Sequence, residues 1–312
     1  MSMKIILTDS LKACPVEEIE STFTDIRFVE ISPRKLATIT SKDNVIAVIG
    51  SRALVQKCAN IDLTKCKFIQ LFSTGYDDID PYAFRKRGIT MSNAKGIYDA
   101  TLAEYVLFMM LKYAKRYHKS MKNNMFRPLR NYHYISEIEG KTIGIMGVGQ
   151  IGSKIAKLLS GFDVKIIGFA NRTNSKEYFD KIYHREELDY FLKSSDFIVN
   201  TLPHTTDTIG LLNKERFANF SETSVFINIG RDSIYEINDL IDFYQNHNSA
   251  VAIIDIFEIL PNPLSRIHRL PNIYITPRIA AISKESDQKL KDLIYHNIEA
   301  LLTNGTLKFV IN

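Results

Sequence analysis

The chain reads as an α/β protein made of two doubly wound parallel sheets, and three observations predict it. Short apolar runs alternate with helical patterns along the whole length. A glycine-rich turn at Gly147, Gly149 and Gly152 joins a branched apolar run to an amphipathic helix. The 312 residues, 45% hydrophobic and 24% charged, suffice for two separate cores.

In the N-terminal third, apolar runs at Lys4–Leu7, Ile26–Glu30, Val45–Gly50, Phe68–Ser73 and Ile89–Ser92 predict the first parallel sheet. The loop from Ser73 to Asp80 follows the fourth run and falls at the carboxyl edge, where ligands bind in open α/β sheets. It also suits an Asp-capped helix entry, with Asp80 before Pro81, and both readings stand. A long helix is expected from Asp99 to about Met121, with Leu102, Val106, Met109, Met110 and Tyr113 at helical spacing, a stripe for the core or a dimer interface. Residues 126–140 connect it to the glycine-rich unit.

In that unit Thr142–Met146 is the strand, Ile151 to about Ser160 the helix, and Val164–Phe169 the second strand. Gly147 allows the tight turn, Gly149 lets a pyrophosphate approach the backbone, and Gly152 lets helix and strand pack closely. The helix N-terminus, including the backbone at Gln150 and Ile151, then faces the phosphates. Further strands are expected at Asp196–Thr201, Ser224–Gly230, Ala250–Ile256 and Ile273–Thr276. Helices are expected near Glu186–Lys193, Lys214–Phe220, Ile237–Asn246 and Ser283–Leu302, and a final strand at Leu307–Ile311.

The N-terminal apolar run is too short for a secretory signal and no stretch is long enough to span a bilayer, so a cytoplasmic location and no membrane partner are expected. Cys14, Cys58 and Cys66 form no C-x-x-C pair, and their odd number argues against a disulfide framework or a zinc site; no metal is expected. A net charge of +5 is too mild to point to nucleic acid. The basic and aromatic run from Lys112 to Arg130 reads as a solvated helix end and subunit contact, so no nucleic-acid partner is expected.

The end of the second strand reads Phe169-Ala170-Asn171-Arg172-Thr173. A carboxylate normally stands here to bind the adenine ribose hydroxyls, and it is absent. With Arg172 able to form a charge-assisted fork to a 2′-phosphate, the sequence favours NADP, with NAD as the alternative. The competing reading of Arg172 is an exposed loop arginine.

Across nearly the whole chain the sequence resembles the D-isomer-specific 2-hydroxyacid dehydrogenase family. Ser73–Asp80 resembles its substrate loop, Asn93–Glu104 its hinge and long helix, and Gly147–Gly152 its cofactor turn. Leu202-Pro203-His204-Thr205-Thr206-Asp207-Thr208 resembles its cofactor-side loop, Asn228-Ile229-Gly230-Arg231 the segment with its arginine, and Asp255-Ile256-Phe257-Glu258 the next strand end. The resemblance implies a flavodoxin-like substrate domain from residues 1–97 plus 278–312, a Rossmann-type cofactor domain from 98–277, and a homodimer. It implies hydride transfer between a nicotinamide and C2 of a small 2-hydroxy or 2-oxo acid. Arg231 takes the carboxylate-binding position, and Ser51, with Thr74, Gly75 and Tyr76 of the substrate loop, is expected to bind the substrate. Leu202, Pro203, Thr208, Ile229 and Asp255 join Gly147, Gly149, Gln150, Ile151, Gly152, Asn171, Arg172 and Thr173 on the cofactor side.

Two positions depart from the family. Its Glu-Pro becomes Leu260-Pro261, and its Thr-Pro-His becomes Thr276-Pro277-Arg278, so both halves of the acid/base pair are missing together. Arginine keeps its protons and only stabilises negative charge, and losing a positioned general acid costs about 10²- to 10⁴-fold in rate. Replacement proton donors in the sequence are His204, His268 and, more weakly, Tyr76 and Tyr98. The expected function is a nicotinamide-dependent 2-oxo acid reductase using Arg231 and Arg278. The alternatives are an NADP-binding protein without turnover and a hydride transfer that needs no proton shuttle.

Overall fold

The central strands are short, branched and buried on both faces, as parallel strands covered by helices are. In the computed structural model, which describes residues 3–40, 42–116, 135–173, 175–257 and 266–312, the chain divides into two units. One is Met1–Tyr98 with Ser283–Asn312, the other Asp99–Ile282.

The first unit holds β1 (Lys4–Thr8), β2 (Ile26–Glu30), β3 (Val45–Gly50), β4 (Phe68–Leu71) and β5 (Thr90–Ser92) in the order β2-β1-β3-β4-β5, every pairing parallel. This is the flavodoxin-like order. The helices α1 (Val16–Thr22), α2 (Arg52–Cys58) and α3 (Pro81–Lys86) follow β1, β3 and β4. Asp80 caps α3, accepting from the Tyr82 amide at 2.9 Å, with Pro81 in the first turn where its missing N–H is harmless. The C-terminal helix, Lys284–Thr303, packs Leu290, Leu293, Ile294 and Ile298 against Ile6, Ile49 and Phe68. Buried Asn297 donates to Gln70 Oε1 at 2.8 Å and accepts from the Lys308 amide at 2.7 Å. The expected strand at Leu307–Ile311 does not form. Phe309 turns left-handed (φ 55°), which breaks the extended run and leaves one antiparallel bridge between Ser92 and Val310.

The second unit begins with α4 (Asp99–Ala114). The helix stops short of Met121 because Arg116 adopts φ 48°, and residues 117–134 lie outside the described part. Three basic residues at the end of this helix are engaged within the chain: Lys112 and Arg116 sit over the rings of Phe108 and Tyr113, and Lys115 donates to Ser136 O. Then come β6 (Thr142–Met146), α5 (Gln150–Leu159), β7 (Lys165–Phe169), β8 (Lys181–Tyr183), α6 (Leu188–Lys193), β9 (Phe197–Asn200), α7 (Lys214–Phe217), β10 (Val225–Asn228), α8 (Ile237–Asn246), β11 (Val251–Ile254) and β12 (Ile273–Ile275). The order is β12-β11-β10-β9-β6-β7-β8, all parallel, so the direction of winding reverses between β6 and β9. Ligands bind at such a switch point.

β8 escapes the sequence pattern: three residues at an edge, flanked by Asp180 and His184, carry too little periodicity. The boundary also moves. Residues 278–282 cluster with the second unit, because Asp255 accepts from the amides of Ile279 (2.9 Å) and Ala280 (3.1 Å) while Thr101 donates to Ala280 O at 3.2 Å.

Burial pushes the thiols of Cys14 and Cys66 up to about 11 and that of Cys58 to about 12. Such thiols stay protonated and inert near neutrality. Among the described residues no helix is long and apolar enough to cross a membrane, and no group of three or more His, Cys, Asp and Glu is placed to hold a metal.

Candidate functional site

The glycine turn has the geometry its spacing requires. Gly147 sits at φ 97°, closed to other residues without strain, and a Cβ there would lie 2.6 Å from Thr201 Oγ1. A Cβ on Gly152 would lie 1.9 Å from Gly147 O, so only glycine lets α5 pack this close. Gly149, the N-cap of α5, has nothing within 4 Å of its missing Cβ, and no side chain caps the helix. No partner is recorded for the amides of Gln150 and Ile151 among the described residues. Unfilled amides, a positive helix end and open space over Gly149 fit a pyrophosphate.

At the end of β7, Asn171 and Arg172 are exposed and Thr173 is half-buried. Ala170 N donates to Tyr183 O at 3.0 Å and Ala170 O accepts from His184 Nδ1 at 2.8 Å. His184, at the end of β8, is a residue that sequence reasoning passed over along with its strand.

The ends of β9 and β10 are joined by a buried amide pair. Asn200 Nδ2 donates to Asn228 Oδ1 at 2.8 Å, and Asn200 Oδ1 accepts from Leu202 N at 3.1 Å. Asn228 in turn donates to Arg231 O (3.1 Å) and accepts from Gly230 N (3.1 Å). The clasp fixes both predicted loops, and a Cβ on Gly230 would strike Asn200 Nδ2 at 2.7 Å. Both strands end in asparagine after three apolar residues, FIVN and VFIN, a signal that the sequence offered. Ile229 is buried, and Leu202 and Pro203 are progressively more exposed. Thr208 donates to Pro203 O at 2.6 Å and closes its own loop. Half-buried Arg231 donates from Nη1 to Gly230 O at 2.8 Å, which sets the direction of its guanidinium.

Asp255 is 2% exposed, and its carboxylate organises the next segment. It accepts from Thr276 Oγ1 at 2.5 Å as well as from the Ile279 and Ala280 amides, and Tyr105 OH lies 2.7 Å from Thr276 Oγ1. Arg278 is held on this clamp in a left-handed conformation (φ 56°) with its side chain exposed. Leu260 lies outside the described residues. His204 is exposed at the carboxyl edge, its Nδ1 2.7 Å from Ser233 Oγ. His268 lies on the turn Arg266–Arg269 that leads into β12, where Arg266 pairs with Asp242 near the end of α8, so it belongs to the opposite edge.

In the first unit the loop after β4 is tied to the segment after β5. Thr74 Oγ1 donates to Ala94 O (3.1 Å), Asn93 Nδ2 to Thr74 O (2.7 Å), and Tyr98 OH to Phe72 O (2.5 Å). Burial pushes the Tyr98 phenol up to about 12, which removes it as a proton source near neutrality. No partner is recorded for the amides of Gly75 and Tyr76 among the described residues, which suits an anion. Ser51 donates its hydroxyl proton to Asp9 and accepts from Leu54 N at 3.3 Å, so this hydroxyl is spent on capping α2. Beside it Arg52 pairs with Asp77 (3.2 Å) and Asp78 (3.3 Å), charges that the sequence reading left out.

A seven-stranded parallel sheet with a phosphate-ready glycine turn at its switch point defines a dinucleotide-binding α/β protein. Residues 105–280 match the family described as D-isomer specific 2-hydroxyacid dehydrogenase, NAD binding domain. A glyoxylate reductase of Thermofilum pendens is 30% identical over 253 residues, covering 79% of this chain and 75% of that one. The glyoxylate reductase of Pyrococcus horikoshii is 26% identical over 319 residues, covering 96% and 93%. Among solved structures, a glyoxylate reductase from Paecilomyes thermophila superposes with a TM-score of 0.82 at 19% identity, covering 100% of this chain and 99% of that one. The chain belongs to the D-isomer specific 2-hydroxyacid dehydrogenase family. It is an NAD(P)-dependent oxidoreductase acting on CH–OH, and the alternative of a binding protein without turnover is not favoured.

Proposed function

We propose that this chain is an NADP-dependent reductase of small 2-oxo acids, with glyoxylate and hydroxypyruvate as the first substrates to test. The observation that carries the reading is Arg231, whose backbone is locked by the Asn200–Asn228 clasp and whose side chain is directed by Gly230 O. A guanidinium so positioned binds a carboxylate and polarises the adjoining carbonyl through its fork. The amides of Gly75 and Tyr76 are groups of the same kind in the first unit. The kinship with glyoxylate and hydroxypyruvate reductases supports this substrate class.

The bound dinucleotide would supply the hydride. Gly147, Gly149, Gln150, Ile151 and Gly152 would hold its pyrophosphate, Leu202, Pro203 and Ile229 would pack along it, and Asn171, Arg172 and Thr173 would meet its adenosine end. Arg172, in place of a carboxylate, is what supports NADP over NAD. Arg278 would stabilise the negative charge that develops on the substrate oxygen, which favours reduction. Since arginine gives up no proton, the alkoxide is protonated by water. We include a homodimer, for which Phe108 on α4, 52% exposed, is a suitable contact, and a cytoplasmic setting, which suits three free, buried cysteines.

The reading is tested by assaying the purified protein with NADPH and with NADH against a panel of 2-oxo acids. Turnover with NADPH, with KM for the 2-oxo acid raised about 100-fold by Arg231→Gln, is expected. Absence of turnover with every acid would sink it.

A further inference from the structure

We propose that Arg52 is a positioning residue of the substrate site, offsetting the charge of Asp77 and Asp78 so that the amides of Gly75 and Tyr76 can bind a carboxylate. This rests on the reading of those two amides as groups of the substrate site given above.

The loop after β4 carries a conflict in its own sequence. Gly75-Tyr76 offers two backbone donors with no recorded partner among the described residues, which suits an anion, and Asp77-Asp78 follows at once with two carboxylates. Consecutive Cα atoms are about 3.8 Å apart, so those of both aspartates lie within about 8 Å of that of Tyr76. That is less than the Debye length of about 10 Å at 0.1 M salt. The Asp77 side chain is only 12% exposed, where screening is weaker still. Two anions this close repel a third.

The compensating charge stands on a different strand. The order β2-β1-β3-β4-β5 reverses its winding between β1 and β3, so Ser51 and Arg52, which follow β3, stand at the switch point of this sheet, beside the strand that the loop leaves. Arg52 Nη1 lies 3.2 Å from Asp77 Oδ2 and 3.3 Å from Asp78 Oδ1, so one cation meets both carboxylates. Its place is otherwise a poor one for arginine. It is the first residue of α2, where the positive helix end disfavours a cation, and the first turn holds no acidic residue. Of the other aspartates nearby, Asp9 accepts from the amide and hydroxyl of Ser51, and Asp80 caps α3. A residue that breaks a local rule in this way marks a function outside its own helix.

The loop does not need Arg52 as a fastener. Thr74 is tied to Asn93 and Ala94, Ser73 Oγ donates to Gly75 O at 2.8 Å, Ile79 N donates to Tyr76 O at 2.9 Å, and Ile79 is buried in the core. Gly75 and Tyr76 therefore keep their place without the guanidinium, and what it adds is charge.

The test measures KM for glyoxylate at saturating NADPH, and the affinity of the NADPH complex for oxamate, an unreactive 2-oxo acid mimic. The proteins are the wild type, Arg52→Gln, Arg52→Lys, and Arg52→Gln combined with Asp77→Asn and Asp78→Asn. Arg52→Gln is expected to raise KM and to weaken oxamate about tenfold, with kcat and NADPH affinity within about twofold, since the interaction is shared by bound substrate and transition state. The triple variant is expected to return both values to within about threefold of the wild type, and Arg52→Lys to stay within the same range, because the charge is what the site requires. Unchanged KM and oxamate affinity in Arg52→Gln would overturn this inference and leave the reductase reading standing. A defect that persists in the triple variant would show that Arg52 touches the substrate or fastens the loop, and would also overturn it. So would a loss of NADPH affinity equal to the loss of oxamate affinity, which marks a general structural role. No turnover of any 2-oxo acid by the wild type would overturn the reductase reading, while the oxamate titration would still decide this one.

Discussion

Substituting the second and third glycines of the cofactor turn separately distinguishes ligand approach from packing. A Cβ on Gly152 falls 1.9 Å from Gly147 O and 3.2 Å from Ile145 Cγ2. Restoring ordinary contact requires a shift of about 1.5 Å between α5 and the turn, and overpacking of this kind costs about 1–3 kcal/mol. Alanine in place of glycine inside a helix returns up to about 1 kcal/mol. The clash is with backbone, which cannot rotate away, so the upper part of that range, about 2–3 kcal/mol, applies, and Gly152→Ala should lose about 1–2 kcal/mol net, a fall in Tm of roughly 2–8 °C for a unit of this size. At Gly149 the backbone (φ −69°, ψ −161°) is open to alanine and a Cβ meets nothing within 4 Å. Gly149→Ala should keep its stability within about 0.5 kcal/mol yet bind NADPH at least about tenfold more weakly, because the methyl stands where the pyrophosphate approaches. Thermal unfolding and titration with NADPH read the two effects. Wild-type NADPH affinity in Gly149→Ala, or a wild-type Tm in Gly152→Ala, would refute the assignment.

Arg231→Gln should raise KM for a 2-oxo acid about 100-fold, the loss of a charged hydrogen-bonding pair, while NADPH affinity, measured separately, stays unchanged. Arg278→His with Leu260→Glu should raise kcat for reduction at least about tenfold and make it fall as pH rises through the imidazole range, because the restored acid must be protonated; the wild type should be nearly flat there. A flat profile in the double variant would contradict the proton argument. Asp255→Asn places an NH₂ donor against the amides it now accepts from, and should destabilise by about 1–3 kcal/mol in denaturant unfolding. His204→Gln should leave kcat within about twofold if water protonates the alkoxide, whereas a loss of about 100-fold or more would make His204 the donor.

The strands of both sheets were legible because buried parallel strands are continuous apolar runs, and the glycine turn because each glycine answers a steric demand visible in its spacing. β8 was not legible, since three residues at a sheet edge, KIY between Asp180 and His184, show no period. The C-terminal strand misled because Leu307–Ile311 looks extended by composition, while the left-handed Phe309 is a choice made by packing. On the site, Arg231 and the loops after β9 and β10 could be located. What holds them, the Asn200–Asn228 clasp, depends on side chains meeting across neighbouring strands 28 residues apart in sequence. Ser51 shows the converse: the resemblance pointed to substrate binding, while Asp9, which takes its proton, lies 42 residues earlier in the chain.

The central claim is hydride transfer from NADPH to C2 of a small 2-oxo acid without a protein-borne general acid. The most direct measurement is to incubate the protein with NADPH deuterated at the transferable position of the nicotinamide and with glyoxylate or hydroxypyruvate, and then examine the product by NMR. Deuterium bound at C2 of the 2-hydroxy acid, formed at a rate set by protein concentration, is expected. Unlabelled product, or none beyond the protein-free reaction while NADPH remains bound, would contradict the account.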